Sequence, residues 1–526
     1  MLTVLLLGAS ALAHALLFPP WEQAWLSWIA LAPFLWVIRR QPPWRAFVCG
    51  LLWGHATHWP IASWVMDAVR VYFGQSWIFG FLFGMAASIL FWTPYYGLFA
   101  AGAAWLSARV EGVLEAVLLA ALWVTLEFAR AHVWVGSTWM LLGYALQPSP
   151  VLRQAADIGG VYLLSFAIVL SNAALAILLD ASKGRSKETP VTRRASPVMR
   201  PALLVTALLS PFLLAAYGVW RLQTPLPTTP AVPVAVVQGN NEAGARWQPG
   251  SYGQGLDSYL ELSRQAAQQG SARVIVWPEA AVPVFIAREP EYQAQIERLL
   301  RETDTELILG APHFENSDPA VPVYFNSAFV VHADGLLPLR YDKQHLMPFT
   351  EYFPWHTLSF LRRRFENVRA FSTGVEDTEL PTRLGRSAIV ICFEADFPDL
   401  VRRRMARGAE VLVNLSNDVW LGSGRGQQQH LTMAALRAVE NRTWMIRATT
   451  TGVSAIVDPF GTIVTRAPSL QPAILHATVT PMQISTLYKE YGDVFAYVCV
   501  FIVGLAVVLL AARAGVQTSS QQRPQL

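Results

Sequence analysis

The sequence predicts a polytopic α-helical membrane domain of about eight spans joined to a single α/β domain. Three observations predict it. Apolar residues make up 53% of the 526, and mean hydropathy is +0.34, above the range of ordinary soluble chains. Eight apolar runs, at or near the length that crosses a hydrocarbon core, occupy 2–18, 24–38, 46–66, 77–105, 113–129, 160–180, 201–219 and 494–512. Between the seventh and eighth, the pattern changes to short β-branched runs alternating with amphipathic helical stretches.

The first two runs share the break at Pro19-Pro20 and read as a tight helical hairpin. The fourth contains Pro94, which predicts a kink or steep tilt. Ala13-His14-Ala15 resembles a signal-peptide cleavage site, but no Lys or Arg precedes the run and it continues through Leu16, Leu17 and Phe18, so it reads as a retained span. The 20 Trp and 26 Phe suit a bilayer, whose headgroup level favours indole rings. Net charge is only +4, and the basic residues collect in short loops rather than on a face interleaved with aromatics, which argues against nucleic acid as a partner.

Those loops set the orientation. Arg39, Arg40, Arg45, Arg109, Lys183, Arg185, Lys187, Arg193, Arg194 and Arg200 fall on one side, against Arg70, Arg130 and Arg153 on the other. The positive-inside rule then places both termini in the cytoplasm and the long polar segment outside. The expected domains are a seven-span membrane domain at 1–219, an extracytoplasmic catalytic domain at 220–493, and a last transmembrane helix with a cytoplasmic tail at 494–526.

The outer domain follows a Pro-rich spacer at 224–230. Strand-like runs at 232–238, 273–277, 306–310, 325–332, 387–392, 410–415 and 453–457 are separated by helical patterns near 254–269, 291–303, 397–408 and 427–443. This implies layered sheet and helix around a real core. Of three cysteines, Cys49 and Cys499 sit in apolar runs as packing residues, so Cys392 is the lone thiol of this domain, either a small buried hydrophobe or a reactive group.

Three segments place ionisable residues just after apolar strands, where loops at a sheet edge commonly build sites. Val274-Ile275-Val276-Trp277-Pro278-Glu279 brings out a carboxylate, which taken alone also suits a helix cap or an ion pair. Tyr341-Asp342-Lys343-Gln344-His345-Leu346-Met347-Pro348-Phe349-Thr350-Glu351-Tyr352 reads as a shaped loop. Ile389-Val390-Ile391-Cys392-Phe393-Glu394 delivers the thiol into a strand-to-helix elbow. A thiol with a pKa of about 8.5 is mostly neutral at pH 7 and needs a base, which Glu279 can supply. Lys343 and a backbone N–H near Phe393 can then hold the negative oxygen of a tetrahedral intermediate.

The strings Trp277-Pro278-Glu279, Tyr341-Asp342-Lys343 through Glu351-Tyr352, and Ile391-Cys392-Phe393-Glu394 resemble the three motif regions of the nitrilase, or carbon–nitrogen hydrolase, superfamily. Seven spans before them and one after resemble the bacterial apolipoprotein N-acyltransferases, over nearly the whole chain. The resemblance implies an αββα sandwich outside the inner membrane, with Glu279 as general base, Lys343 as electrostatic stabiliser and Cys392 as nucleophile. It implies acyl transfer from a phospholipid, typically phosphatidylethanolamine, through a thioester to the α-amino group of a diacylglyceryl-cysteine on an apolipoprotein. Glu351 and Glu394 match carboxylates that position the triad, and Trp247 and Asn326 match positions lining the pocket. Asn417 and Trp420 belong to a segment, 414–420, whose loop in the family lies near the membrane-facing entrance. Thr350, Leu421 and 449–452 depart from the family pattern, which bears on loop shape and acyl-chain preference.

The protein is expected to act as a monomer without cofactor or metal, since no His, Asp or Glu pair in the outer domain has metal-ligand spacing. His55, His58 and His132 read as interhelical hydrogen-bonding groups. Arg362–Arg364 and Arg402–Arg404 read as solvated faces, and 422–426 as a flexible entrance loop. Two rival functions are a membrane-tethered amidase with the same triad, and a transporter, for which Glu115 and Glu127 in the fifth run lie too near its ends.

Overall fold

A computed structural model describes residues 1–133, 136–182, 199–241, 254–315, 322–353, 370–375, 379–422 and 424–521. The chain separates into two compact units, one of Met1–Ser63, Met85–Arg221 and Tyr491–Leu526, the other of Trp64–Gly84 and Leu222–Glu490.

The first unit is helical. Among the described residues five helices are long and apolar enough to cross a membrane: Trp77–Ser107, of which Trp77–Gly84 is counted with the second unit, Gly112–His132, Leu152–Asp180, Met199–Leu222 and Val494–Arg513. The first two apolar runs form shorter helices, Leu2–Ala15 and Ala24–Ile38. The third forms the 20-residue helix Pro43–Ala62, whose Thr57, His55 and His58 dilute its hydropathy. In the fourth run a π-helical turn, Ser88–Trp92, immediately precedes Thr93-Pro94, where the missing proline N–H unsettles the regular ladder.

Several buried polar groups inside this unit are matched by other groups of the chain. The Asn172 amide accepts from the Leu31 and Ala32 N–H groups at 2.9 and 3.0 Å and donates to the Ser27 carbonyl at 2.7 Å. Arg39 bridges Glu115 at 2.7 Å and Asp180 at 2.5 Å, so the charge in the fifth run is tied in an ion pair. Glu127 accepts from the Leu142 N–H at 2.7 Å. Of the histidines, His55 meets Ser88 of another helix at 3.0 Å, as expected. His132 instead meets the Phe128 carbonyl of its own helix at 2.9 Å, and His58 packs its ring edge against Trp92. At four residues' spacing a helical carbonyl lies within reach of a ring, which explains His132.

The second unit holds twelve strands among the described residues: β1 (Val232–Gln238), β2 (Val274–Val276), β3 (Glu306–Glu315), β4 (Val323–His332), β5 (Gly335–Asp342), β6 (Leu380–Thr382), β7 (Gly385–Ile391), β8 (Val411–Ser416), β9 (Met445–Thr449), β10 (Ala455–Val457), β11 (Ile463–Arg466) and β12 (Ala473–Val479). They make two six-stranded sheets, β12-β1-β2-β3-β4-β5 and β11-β10-β9-β8-β7-β6. Each sheet has a parallel centre, β1-β2-β3 in one and β7-β8-β9 in the other, flanked by antiparallel strands.

Alternation along the strands sets the layers. Ala235, Val237, Ile275, Leu307 and Leu309 pack on Tyr259, Leu260, Leu299 and Leu300 of the helices Leu256–Gly270 and Pro290–Thr303. Ala388, Val390 and Leu412 pack on Leu400, Met405, Ala434 and Ala438 of the helices Pro398–Ala406 and Gly424–Asn441. The alternate residues, among them Val236, Val276, Ile308, Ile389, Val413 and Ile446, are fully buried without a helix over them, because the two sheets cover each other. Gln238 of β1 reaches across to Thr449 of β9 at 3.2 Å and Ser454 at 2.8 Å. The result is the expected αββα sandwich.

Candidate functional site

The parallel strands of both sheets release their chemistry at their carboxyl ends. After β2 the chain keeps pairing through Trp277 and Pro278, whose N–H and carbonyl meet Ile308 and Gly310 of β3 at 2.9 and 3.2 Å. Glu279 emerges from that clamp. A side chain at Gly310 would place its Cβ 2.7 Å from the Glu279 Cα, so glycine is what lets the two strands approach there. Lys343 follows β5, with its N–H donating to the Asn326 carbonyl of β4 at 2.8 Å.

Cys392 follows β7 with φ +54°, a left-handed conformation that costs an L-residue roughly 1–2 kcal/mol. It opens a 3-10 turn, Cys392–Asp396. The Glu394 carboxylate folds back to accept from the Ile391 N–H at 2.7 Å, and it also accepts from the Gln344 and His345 N–H groups at 2.6 and 3.0 Å and the Tyr341 hydroxyl at 2.8 Å. One carboxylate thus ties the Lys343 loop to the cysteine turn. The guanidinium of Arg404 lies 3.8 Å over the Tyr341 ring and is fully buried. This corrects the reading of 402–404 as a solvated face: Arg402 and Arg403 do pair with Asp399, but the helical period turns Arg404 onto the sheet.

The three ends converge. The Lys343 ammonium stands 3.4 Å from Glu279 Oε1 and 2.9 Å from Glu351. The Asn326 amide donates to both carboxylates, at 2.6 and 2.7 Å, and the Asn417 N–H donates to Glu279 Oε2 at 2.8 Å. The Cys392 thiol hydrogen-bonds the Glu279 carboxylate, with the Ser416 hydroxyl beside it. Burial and the Glu279 charge push the thiol well above its usual range, so the resting sulfur keeps its proton. Burial, against the pull of Lys343 and with the push of Glu351, also raises Glu279, which makes it a better base than an exposed carboxylate. Burial alone would strip the proton from Lys343, but Glu279 and Glu351 outweigh it and hold the ammonium charged. Such an arrangement can deprotonate a thiol towards its carboxylate and stabilise the oxyanion that forms on a carbonyl oxygen when the sulfur attacks.

These groups line a cavity of about 450 Å³, counting space open to solvent. Glu279, Asn326, Lys343, Glu351, Cys392, Asn417 and Trp420 all lie on its wall. Phe393 is partly buried against Phe397, with ring centroids 4.9 Å apart, and Glu394 lies behind the wall. Trp247 and Arg362–Arg364 fall outside the described residues. The stretch expected as an entrance loop starts a helix at Gly424, and Gly426 is buried close to Trp64 and Leu421, where a Cβ would stand 3.1 and 3.2 Å from them. Among the described residues no cluster of three or more His, Cys, Asp or Glu could hold a metal ion.

Sequence reasoning missed one wall. Tyr72 lines the cavity from the segment Trp64–Gly84, which belongs to this unit although it lies some 150 residues upstream of β1. Trp64 meets the edge of Trp420 at 5.5 Å and Phe83 the edge of Phe349 at 5.4 Å. Nothing local marks this segment, since it reads as the join between two apolar runs. Also missed were Arg447 and His430 behind the cysteine; an arginine inside the apolar strand Met445–Thr449 was the signal available.

The carbon-nitrogen hydrolase family model matches residues 233–489, and the model for the apolipoprotein N-acyltransferase N-terminal domain matches residues 10–174. An apolipoprotein N-acyltransferase of Geobacter metallireducens is 36% identical over 506 residues, covering 96% of this chain and 94% of its own. Those of Azotobacter vinelandii and Pseudomonas putida are each 34% identical, covering 91% and 97% of this chain and 90% and 97% of theirs. A solved carbon-nitrogen hydrolase from Helicobacter pylori G27 overlays 51% of this chain and 95% of its own, at 18% identity and a TM-score of 0.38. With its hydrolase sandwich, its helical membrane unit and relatives alike along nearly its entire length, the chain belongs to the apolipoprotein N-acyltransferase family.

Proposed function

We propose that this protein moves a fatty acyl group from a membrane phospholipid to the N-terminal amine of a diacylglyceryl-cysteine on an apolipoprotein, through a thioester on Cys392. One observation carries the reading: a thiol, a carboxylate and an ammonium from separate strand ends meet on the wall of one cavity. Phosphatidylethanolamine is the expected donor.

In the first half-reaction Glu279 takes the thiol proton as the sulfur attacks the ester carbonyl. Lys343 and the N–H of Phe393 hold the oxyanion, and Asn326 and Glu351 hold Lys343 in place. The intermediate collapses with loss of the glycerol oxygen, which takes the proton from Glu279 and leaves as lysophospholipid. In the second, the lipoprotein amine attacks the thioester, Glu279 accepts its proton, and collapse returns the thiolate, which recovers that proton. Apolar walls at Tyr72, Met347 and Trp420 suit the acyl chain and keep water from the thioester.

The protein works as a monomer in a bacterial inner membrane, with residues 220–493 in the periplasm and both termini in the cytoplasm, as the lysine and arginine bias of the loops supports. The amidase reading shares the triad but gives no role to the five helices of membrane-crossing length among the described residues. Incubating detergent-purified protein with phospholipid radiolabelled in its acyl chains separates the two. Label is expected on Cys392 as a hydroxylamine-sensitive thioester, absent in Cys392→Ser; transfer of label to lipopeptide by Cys392→Ser would refute the nucleophile.

A further inference from the structure

Behind Cys392 lies a second set of polar groups, none of which lines the cavity. Asn414 on β8, Asp418 just after it, His430 on the helix Gly424–Asn441, Arg447 on β9 and Asp396 at the end of the cysteine turn are each buried completely. A guanidinium is costly to bury, so its partners must account for it.

Those partners lead back to the cysteine at both ends of its turn. Arg447 donates through Nη1 to the Asn414 side-chain oxygen and through Nη2 to Asp418 at 2.7 Å. The Asn414 amide nitrogen donates to the carbonyls of Val390 and Cys392, at 3.2 and 3.3 Å. Asp418 also accepts from the Ser416 hydroxyl at 2.7 Å, and His430 Nδ1 stands 3.0 Å from it and 2.9 Å from Arg447. The other nitrogen of His430 lies 3.6 Å from Asp396, which closes the circuit on the same 3-10 turn that Cys392 opens.

An amide can be flipped, and the wrong flip would aim its oxygen at two carbonyl oxygens. Arginine has only donors, so it fixes the Asn414 oxygen towards itself and the NH₂ towards the cysteine backbone. That backbone sits at φ +54°, a conformation that persists only when its surroundings impose it. We propose that Arg447 is a positioning residue for the acyl transfer: acting through Asn414, it holds the left-handed Cys392 backbone that aims the sulfur at Glu279 and the substrate. The proposal rests on the acyl-enzyme reading above.

The test measures single-turnover thioester formation with labelled phospholipid in Arg447→Met, Arg447→Lys and Asn414→Asp, alongside alkylation of Cys392 by iodoacetamide, followed by peptide mass. Asn414→Asp is isosteric and gives Arg447 a full charge partner, yet removes both donations to the elbow. Displacing a reacting atom by about 1 Å costs on the order of 100-fold, so Arg447→Met and Asn414→Asp are expected to lose about that in rate, with half-saturating phospholipid unchanged within about threefold. Arg447→Lys, which keeps a donor towards Asn414, is expected to recover roughly a tenth of the wild-type rate or more. Alkylation of Cys392 is expected to slow in parallel. Wild-type rates in Asn414→Asp, a loss confined to half-saturation, or failure of Asn414→Asp to fold would each overturn the proposal, the last by assigning the cluster to stability. Should wild-type protein form no thioester, the functional reading falls, while the alkylation rates still decide the positioning claim.

Discussion

The two sheets of the sandwich treat charge in opposite ways. The sheet β12-β1-β2-β3-β4-β5 sends its ionic groups into the cavity: Glu279 after β2, Lys343 after β5, with Asn326 of β4 joining the carboxylates. The sheet β11-β10-β9-β8-β7-β6 offers the cavity a neutral thiol and keeps Asp418, His430 and Arg447 behind it. Charge that stabilises a reacting oxygen must face it, whereas charge that fixes backbone geometry works best where no substrate can disturb it.

Counting rate and stability together, the largest break in that contrast is Lys343→Met. It leaves Glu279 and Glu351 facing one another without their shared cation. Loss of one oxyanion partner costs about 10²–10³ in rate, and stripping a buried charge cluster of its counter-ion costs about 3–5 kcal/mol of stability. Thioester formation and thermal unfolding in detergent read the two effects. An equal loss of rate with unchanged melting would mean that Glu279 and Glu351 share a proton once Lys343 is gone.

Glu279→Gln comes next. It preserves shape and the Asn417 contact while removing the proposed base, for an expected loss of about 10²–10⁴ in acylation rate. In the wild type, burial raises the Glu279 pKa above the ordinary carboxylate range. The base is therefore lost on acidification at a higher pH than an exposed glutamate would show, and the acid limb of the pH–rate profile should vanish in Glu279→Gln. A limb at the same pH in both proteins would assign it elsewhere.

The sequence made this half of the site legible for a physical reason. Glu279 and Cys392 each come just after an apolar β-branched run, so the strand itself announces where the side chain emerges, whereas Lys343 was marked by the charged, aromatic and proline-rich loop that holds it. Strands β1, β2, β7 and β8 were equally plain. The edge strands β5, β6, β11 and β12 were not, because Pro338, Pro381, Arg466 and His476 break their apolar pattern. Arg404 was misread since three consecutive arginines look solvated until the helical period is applied to them. The Tyr72 wall depends on a tertiary contact across the chain, which no local pattern encodes.

Glu306 sharpens the comparison at the far side of the first sheet. It begins β3 and accepts from the Arg383 N–H at 3.0 and 3.1 Å, and burial raises its pKa from 4.5 to about 7. A folded pKa above the unfolded one means that the native state binds more protons between those values, so its contribution to stability is present below pH 4.5 and is lost as pH rises through about 7. Glu306→Gln is expected to gain about 1–3 kcal/mol over wild type at pH 8 and almost nothing at pH 4.5, by melting at both. Equal gains at both pH values would mean a packing effect instead.

The smallest expected effect tests the wall that neither sheet builds. Trp64 braces Trp420 edge-on at 5.5 Å, and Tyr72 stands on the cavity wall beside it. An aromatic pair adds about 0.5–1.5 kcal/mol beyond its buried area, so Trp64→Leu should weaken the apparent phospholipid KM about two- to tenfold and leave the single-turnover rate at saturation unchanged. Leucine keeps most of the buried volume, which separates loss of the ring contact from collapse of the segment. A fall in the saturating rate with KM intact would move the Trp64–Gly84 segment from holding the acyl chain to positioning the reacting groups, and would place it with the charges behind Cys392 rather than with the walls of the cavity.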